Sequence, residues 1–290
     1  MNLAADGSRL AVSERSGVSI YVASTSGSLL LEDRVLLTTS PSVGITEQPG
    51  IAMDGDRIAG TRKLSSFTRR VEILERSGSD WVQTLTINAP LSSNGFGNDL
   101  DLDGTRLVIG QSSGDAQVFG RAWFVELSTD TPTPINLFPP TGAGGESYGA
   151  SVAIRGDWIA VGAPESQVAP NVEGRIAIFR RNTDGSYSEF QVIEASASGP
   201  ISLGRQVELE GNWLAFAETY PEVSSFPGIQ GLDHGISTLQ YNGFFWDFEQ
   251  RASPFAGRDA LRFESFAYDV DRAAVIYPEF VGNRVMIEQR

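Results

Sequence analysis

The sequence predicts an all-β propeller of six blades, mostly of four antiparallel strands, with the last blade incomplete. Three observations carry that expectation. A pair of short alternating strands closed by a tight turn returns six times along the 290 residues. A third apolar strand follows each pair, and a fourth follows most of them. The turn residues at 7, 55, 104, 156, 211 and 270 are separated by 48, 49, 52, 55 and 59 positions. A period near 50 with four strands per unit is that of a propeller blade, which cannot bury its faces alone and must stack on neighbours.

The clearest copy runs from Tyr148 to Phe179. Val152 and Ile154 alternate with Ala153 and Arg155, the period of a half-buried strand. Gly156 then turns the chain into Trp158-Ile159-Ala160-Val161-Gly162, a hairpin signal because glycine accepts positive φ without a Cβ clash. The other turns are Asp6-Gly7, Asp54-Gly55, Asp103-Gly104, Glu210-Gly211 and, with the glycine lost, Asp269-Val270. Apolar residues precede each by two and four positions: Leu3 and Ala5, Ile51 and Met53, Leu100 and Leu102, Val207 and Leu209, Phe266 and Tyr268. Third strands follow at 18–20, 71–73, 122–124, 176–178, 236–238 and 285–287.

In order, the expected blades are 1–47, 48–93, 94–143, 144–198, 199–258 and 259–290, together one domain. The first is the leanest. The second holds the segment 61–70, where Arg62, Lys63, Arg69 and Arg70 place four of the 22 basic side chains in ten positions. The third ends in a Pro- and Gly-rich turn, and the fourth is the reference copy. The fifth has the longest insertion, Glu218 to His234, and an aromatic outer strand at 244–248. The sixth stops after its third strand, and the first opens almost directly at its inner one. The chain therefore reads as a fragment, or as a mature region of a longer reading frame. A three-stranded last blade is the alternative.

Tyr148-Gly149 with Gly162-Ala163-Pro164 resembles the FG-GAP repeat of integrin α-subunit heads and bacterial surface proteins. Phe96-Gly97 with Val108-Ile109-Gly110 is a second copy, and Leu203-Gly204 with Phe216-Ala217 a third. The resemblance is strong over about 91–245. It implies recognition of proteins or glycans outside the cell, with calcium in some members.

Composition narrows the classes further. A formal charge of −14 argues against nucleic acid and anionic membrane surfaces as partners. Without cysteine there is no disulfide frame, thiolate metal site or thiol nucleophile. No apolar run approaches membrane-spanning length, and residues 1–20 are no signal peptide. The compartment expected is extracellular, cell-surface or periplasmic. The state expected is a monomer or part of a longer multidomain chain.

From each tight turn to the third strand the separations are 11, 16, 18, 20, 25 and 15 residues. Variation thus collects at the connections between second and third strands, on one face of a propeller. A rigid scaffold that presents a binding surface is built this way.

Asp99, Asp101 and Asp103, followed by Gly104, have the D-x-D-x-D-G look of a calcium loop. Leu100 and Leu102 align with Val152 and Ile154, however, so the segment reads as a strand ending in an Asp-Gly turn. The lone histidine, His234, beside Asp233, lacks a nucleophile and an orienting group of its own and reads as a loop residue. The 36 carboxylates single out no pair suited to glycoside hydrolysis. Arg62, Lys63, Arg69 and Arg70 could receive an acidic glycan or a carboxylate. Phe67 and Phe226 are candidates for exposed aromatic contacts, and Asp233 and His234 complete the candidate set. Trp81, Trp158, Trp213 and Trp246 are read as packing between blades.

The expected function is non-catalytic recognition of a protein or glycan through loops 61–70, 111–120, 163–174 and 218–234, with interblade segments such as 139–147, and with no cofactor other than an optional calcium. The alternatives are a carbohydrate-active enzyme with a carboxylate pair on that face, and a structural repeat of a larger surface protein.

Overall fold

The computed structural model describes residues 3–14, 17–26, 28–36, 50–64, 68–90, 95–112, 120–138, 147–169, 172–195, 202–221, 232–252, 265–269, 272–279 and 282–289. Among them there is no helix. The strands form six antiparallel sheets in two compact units, Met1–Phe138 and Pro139–Arg290.

In the first unit, sheet one joins β1 (Leu3–Asp6), β2 (Arg9–Ser13), β3 (Gly17–Ala23) and β4 (Leu29–Leu36). Sheet two joins β5 (Ile51–Asp54), β6 (Arg57–Lys63), β7 (Arg69–Ser77) and β8 (Asp80–Asn88). Sheet three joins β9 (Phe96–Asp103), β10 (Arg106–Gln111), β11 (Arg121–Glu126) and β12 (Ile135–Leu137). In the second unit, sheet four joins β13 (Ser151–Arg155), β14 (Trp158–Ala169), β15 (Val172–Arg181) and β16 (Tyr187–Glu194). Sheet five joins β17 (Val207–Glu210), β18 (Trp213–Pro221), β19 (Leu232–Tyr241) and β20 (Trp246–Ala252). Sheet six has three strands, β21 (Ser265–Asp269), β22 (Arg272–Glu279) and β23 (Gly282–Gln289). Every sheet pairs consecutive strands in order and repeats one register in its first hairpin, from Asp6 opposite Arg9 to Asp269 opposite Arg272.

Sheets stack inner strand beside inner strand: β1 with β5 and β5 with β9 in the first unit, β13 with β17 and β17 with β21 in the second. The core is the set of seams between stacked sheets. Ile20, Ile58, Leu74 and Trp81 fill the seam between sheets one and two. Ile73, Phe96, Leu102, Ile109 and Trp123 fill the next. Ile176, Leu203, Leu214, Phe216, Trp158 and Trp246 fill the seam between sheets four and five. Alternation does this work, because every second residue of a strand faces one neighbour. Trp81, Trp158 and Trp246 are thus packing residues.

The tight turns are stitched to one another. Gly104 takes φ +62°, as the turn requires, and its amide donates to Asp54 Oδ2 at 2.5 Å. The Gly55 amide donates likewise to Asp6 Oδ2 at 2.6 Å. In the second unit the same stations carry an ion pair, Arg155 with Glu210 at 3.3 Å. The second strand opens on an arginine in sheets one to three and on a tryptophan in sheets four and five. Arg9, Arg57 and Arg106 bind the carboxylates of Glu32, Glu75 and Asp103, respectively. Trp158 instead sits among Phe190, Tyr241 and Trp246, with ring centroids 4.6–5.3 Å away.

Candidate binding surface

Each sheet has two ends. One carries the tight first turn, and the other carries the connection from second to third strand. The sequence led us to expect open loops at 61–70, 163–174 and 218–234, and the structure corrects this. β6 runs to Lys63 and β7 starts at Arg69, with Leu64 N donating to Thr68 O at 2.8 Å. β14 and β15 pair out to Ala169 and Val172, and β18 and β19 out to Pro221 and Leu232. The described inserted residues are arms of hairpins, and residues 65–67, 170–171 and 222–231 lie outside the described residues. Two inserted segments leaving adjacent strands satisfy their backbone amides and carbonyls most readily by continuing the ladder. The arm of sheet four is anchored at its base, where Glu165 N donates to Ser147 Oγ at 2.8 Å and Gly174 bridges to Leu203. Within 111–120, residues 113–119 lie outside the described residues.

Asp233 and His234 therefore lie in β19 and not at the end of a loop, opposite Tyr220 and Thr219. Phe67 and Phe226 lie outside the described residues.

The basic segment is a strand pair in which like charges oppose: Arg62 faces Arg70, and Lys63 faces Arg69. Opposed like charges destabilise a ladder unless something neutralises them. For Arg62 and Arg70 that something is Glu72, which is fully buried. Its Oε1 accepts from Arg62 Nη1 at 3.1 Å and from Arg70 Nε at 2.7 Å. Arg69 is also buried, and desolvation holds its guanidinium below the ordinary arginine value. Arg62 and Arg70 are thus committed to an internal carboxylate.

The same register holds a polar cluster in all three sheets of the first unit. In sheet one Glu14 accepts from Ser19 Oγ and from Arg34 Nη2, both at 2.5 Å. In sheet two the members are Arg62, Glu72 and Arg70. In sheet three Gln111 accepts from Trp123 Nε1 at 2.8 Å, and Arg121 stands over the Trp123 ring at 6.0 Å. Charge composition hid this repeat, because its members change from acid to base to amide. The available signal was position: seven residues after the tight turn, and second in the third-strand triplet.

Asp99, Asp101 and Asp103 belong to β9 and alternate with buried Leu100 and Leu102. Asp103 is paired with Arg106. Among the described residues no three acidic or imidazole side chains gather as a metal ion would need.

The FG-GAP residues have a geometric reason. Gly204, at φ +86°, carries its carbonyl against Gly162 of the preceding sheet, and a Cβ on Gly162 would overlap that oxygen. Ser151 Oγ donates to the same carbonyl at 2.8 Å. Tyr148 is wholly buried, and its hydroxyl has no hydrogen-bond partner among the described residues. Burial first, and the charge of Glu189 second, push its pKa well above the ordinary tyrosine value.

Residues 135–175 match the FG-GAP repeat family. No curated protein matches the chain. Among solved structures, it is similar to the beta-propeller domain of the Trilobed protease from Pyrococcus furiosus, with TM-score 0.51 and 10% identity over 99% of this chain and 81% of that one. It is similar to a putative 6-phosphogluconolactonase from Bacteroides uniformis, with TM-score 0.53 and 13% identity over 94% and 77%. It is also similar to a putative oxidoreductase (glucose dehydrogenase) from Thermus thermophilus, with TM-score 0.51 and 14% identity over 98% and 94%. At such identities the likeness speaks to fold alone. With six repeated antiparallel sheets and the glycine contacts of its fourth and fifth copies, the chain is a β-propeller that carries the FG-GAP repeat.

Proposed function

We propose that this propeller is a non-catalytic binding module outside the cytoplasm, recognising a protein or a glycan through the hairpins that join second and third strands. The observation that carries the reading is where the chain varies. The first turns stay tight, while the opposite connections grow into arms at β14–β15 and β18–β19. A scaffold with constant sheets and variable projections at one end suits recognition, since the projections change without disturbing the seams.

The FG-GAP match supports an extracellular setting, and no helix among the described residues is long and apolar enough to cross a membrane. The test is a glycan array together with a polysaccharide turnover panel. Retention on an array without turnover fits a binding module. Sustained turnover would move the chain to the carbohydrate-active class.

A further inference from the structure

The outer edge of sheet five is held shut by one side chain. β20 is the last strand of its sheet, and the register pairs Trp246 with Tyr241. Tyr241 N donates to Asn212 O on its other side, so the backbone groups of Trp246 point away from β19, towards the open edge. Gln191, at the bulge of β16 in the neighbouring sheet, takes both of them. Its Nε2 donates to Trp246 O at 3.0 Å, and its Oε1 accepts from Trp246 N at 2.8 Å. A primary amide sets an N–H donor beside a carbonyl acceptor, the same kind of pair that a residue of an added strand would offer. The next outward amide along, Phe248 N, donates to Asp247 Oδ1 at 3.0 Å.

Sheet two shows the device in half form. Asp33, at the equivalent bulge of β4, accepts from Trp81 N at 2.8 Å, and a carboxylate can cap only the donor. The stronger cap stands where the hazard is greater. Phe248 on β20 is 56% exposed, and Phe244 and Phe245, in the bend that leads into the strand, are 84 and 49% exposed. An edge strand with exposed apolar side chains is a template for pairing with another chain.

We propose that Gln191 is an edge latch that prevents β20 from pairing antiparallel with β20 of a second copy of this chain. Asp247 and Glu249, exposed on the same strand, add like-charge repulsion to that pairing.

Gln191→Ala removes both hydrogen bonds, and Gln191→Met removes them at nearly constant volume, so the methionine variant decides the matter if the alanine variant unfolds. The Trp246 amide should exchange with solvent at least about tenfold faster, as expected for a lost cap on an exposed edge. Weight-average mass from sedimentation should rise with protein concentration beyond that of the parent. Adding Phe248→Lys, a charge on the edge, should return it to the parent's. A variant with fast Trp246 exchange and the parent's mass at every concentration would overturn the proposal. So would association that survives Phe248→Lys.

Discussion

Thr61 donates its hydroxyl to the carbonyl of Gly97 across the seam between sheets two and three, at 2.6 Å. Gly50 N donates to the same oxygen at 3.1 Å. In the second unit, Ser151 and Gly204 repeat the relationship across the seam between sheets four and five, from a different position of the donor sheet. The glycine of the Phe96-Gly97 pair, like that of the Leu203-Gly204 pair, is therefore a docking point. Its carbonyl turns back onto the preceding sheet, and that sheet must keep a small residue or a hydroxyl there. The motif is a packing rule between neighbours, and that explains why Thr61 can stand where the fourth sheet has Gly162.

Gly162→Ala should test this most sharply. Its Cβ would overlap the Gly204 carbonyl, backbone that cannot step aside. Overpacking of this kind costs about 1–3 kcal/mol. Thr61→Val keeps the shape and leaves the Gly97 carbonyl short of one donor, at about 1 kcal/mol. Urea midpoints of the two variants against the parent supply the check.

Tyr148→Phe should cost nothing and should stabilise the fold by about 1 kcal/mol, since the buried hydroxyl is removed from a place where it has no partner. It should also change the alkaline limb. Folding raises the Tyr148 pKa above its ordinary value of 10.0, so the contribution is whole below that pH and is lost as pH rises through the folded value. The parent should lose stability above about pH 10 more steeply than the phenylalanine variant. Thermal melts from pH 8 to 11 would show it.

Glu72→Ala should destabilise by about 3–5 kcal/mol, because it strands Arg62 and Arg70 beside an emptied buried site. The converse bears on ligand binding. Replacing Arg62, Lys63, Arg69 and Arg70 together by serine leaves the Glu72 carboxylate buried without partners and should lower the melting temperature strongly. Lys63→Ser is the cleaner probe of acidic-ligand contact. An unchanged affinity in a Lys63→Ser protein that melts with the parent would remove that side chain from the surface.

Much of the fold was legible because alternation and turn residues act locally. Leu100 and Leu102 declared a strand, and Gly104 declared its end. The fate of the inserted residues was not legible. The polar composition of 163–174 and 218–234 looks like loop, yet two such segments leaving adjacent strands can pair, and pairing depends on the partner rather than on either stretch alone. His234 and Asp233 moved from loop to strand for that reason. The basic run misled in another way. Sequence shows four cations together but cannot show that Glu72, two residues past Arg70, is buried between two of them. Gln191 and Asp33 were invisible too, since an amide and a carboxylate at an outer-strand bulge acquire meaning only beside Trp246 and Trp81.

The central claim is recognition by the hairpin arms, and trimming them tests it most directly. Residues 219–234 would be exchanged for Asn-Gly, which closes a two-residue hairpin between Glu218 and Gly235, and residues 166–172 would be shortened likewise. Binding to the glycan or protein that the parent retains would be measured by titration calorimetry, beside the melting curves. The account predicts loss of binding with an unchanged melt. Undiminished affinity in a folded, trimmed protein would contradict it.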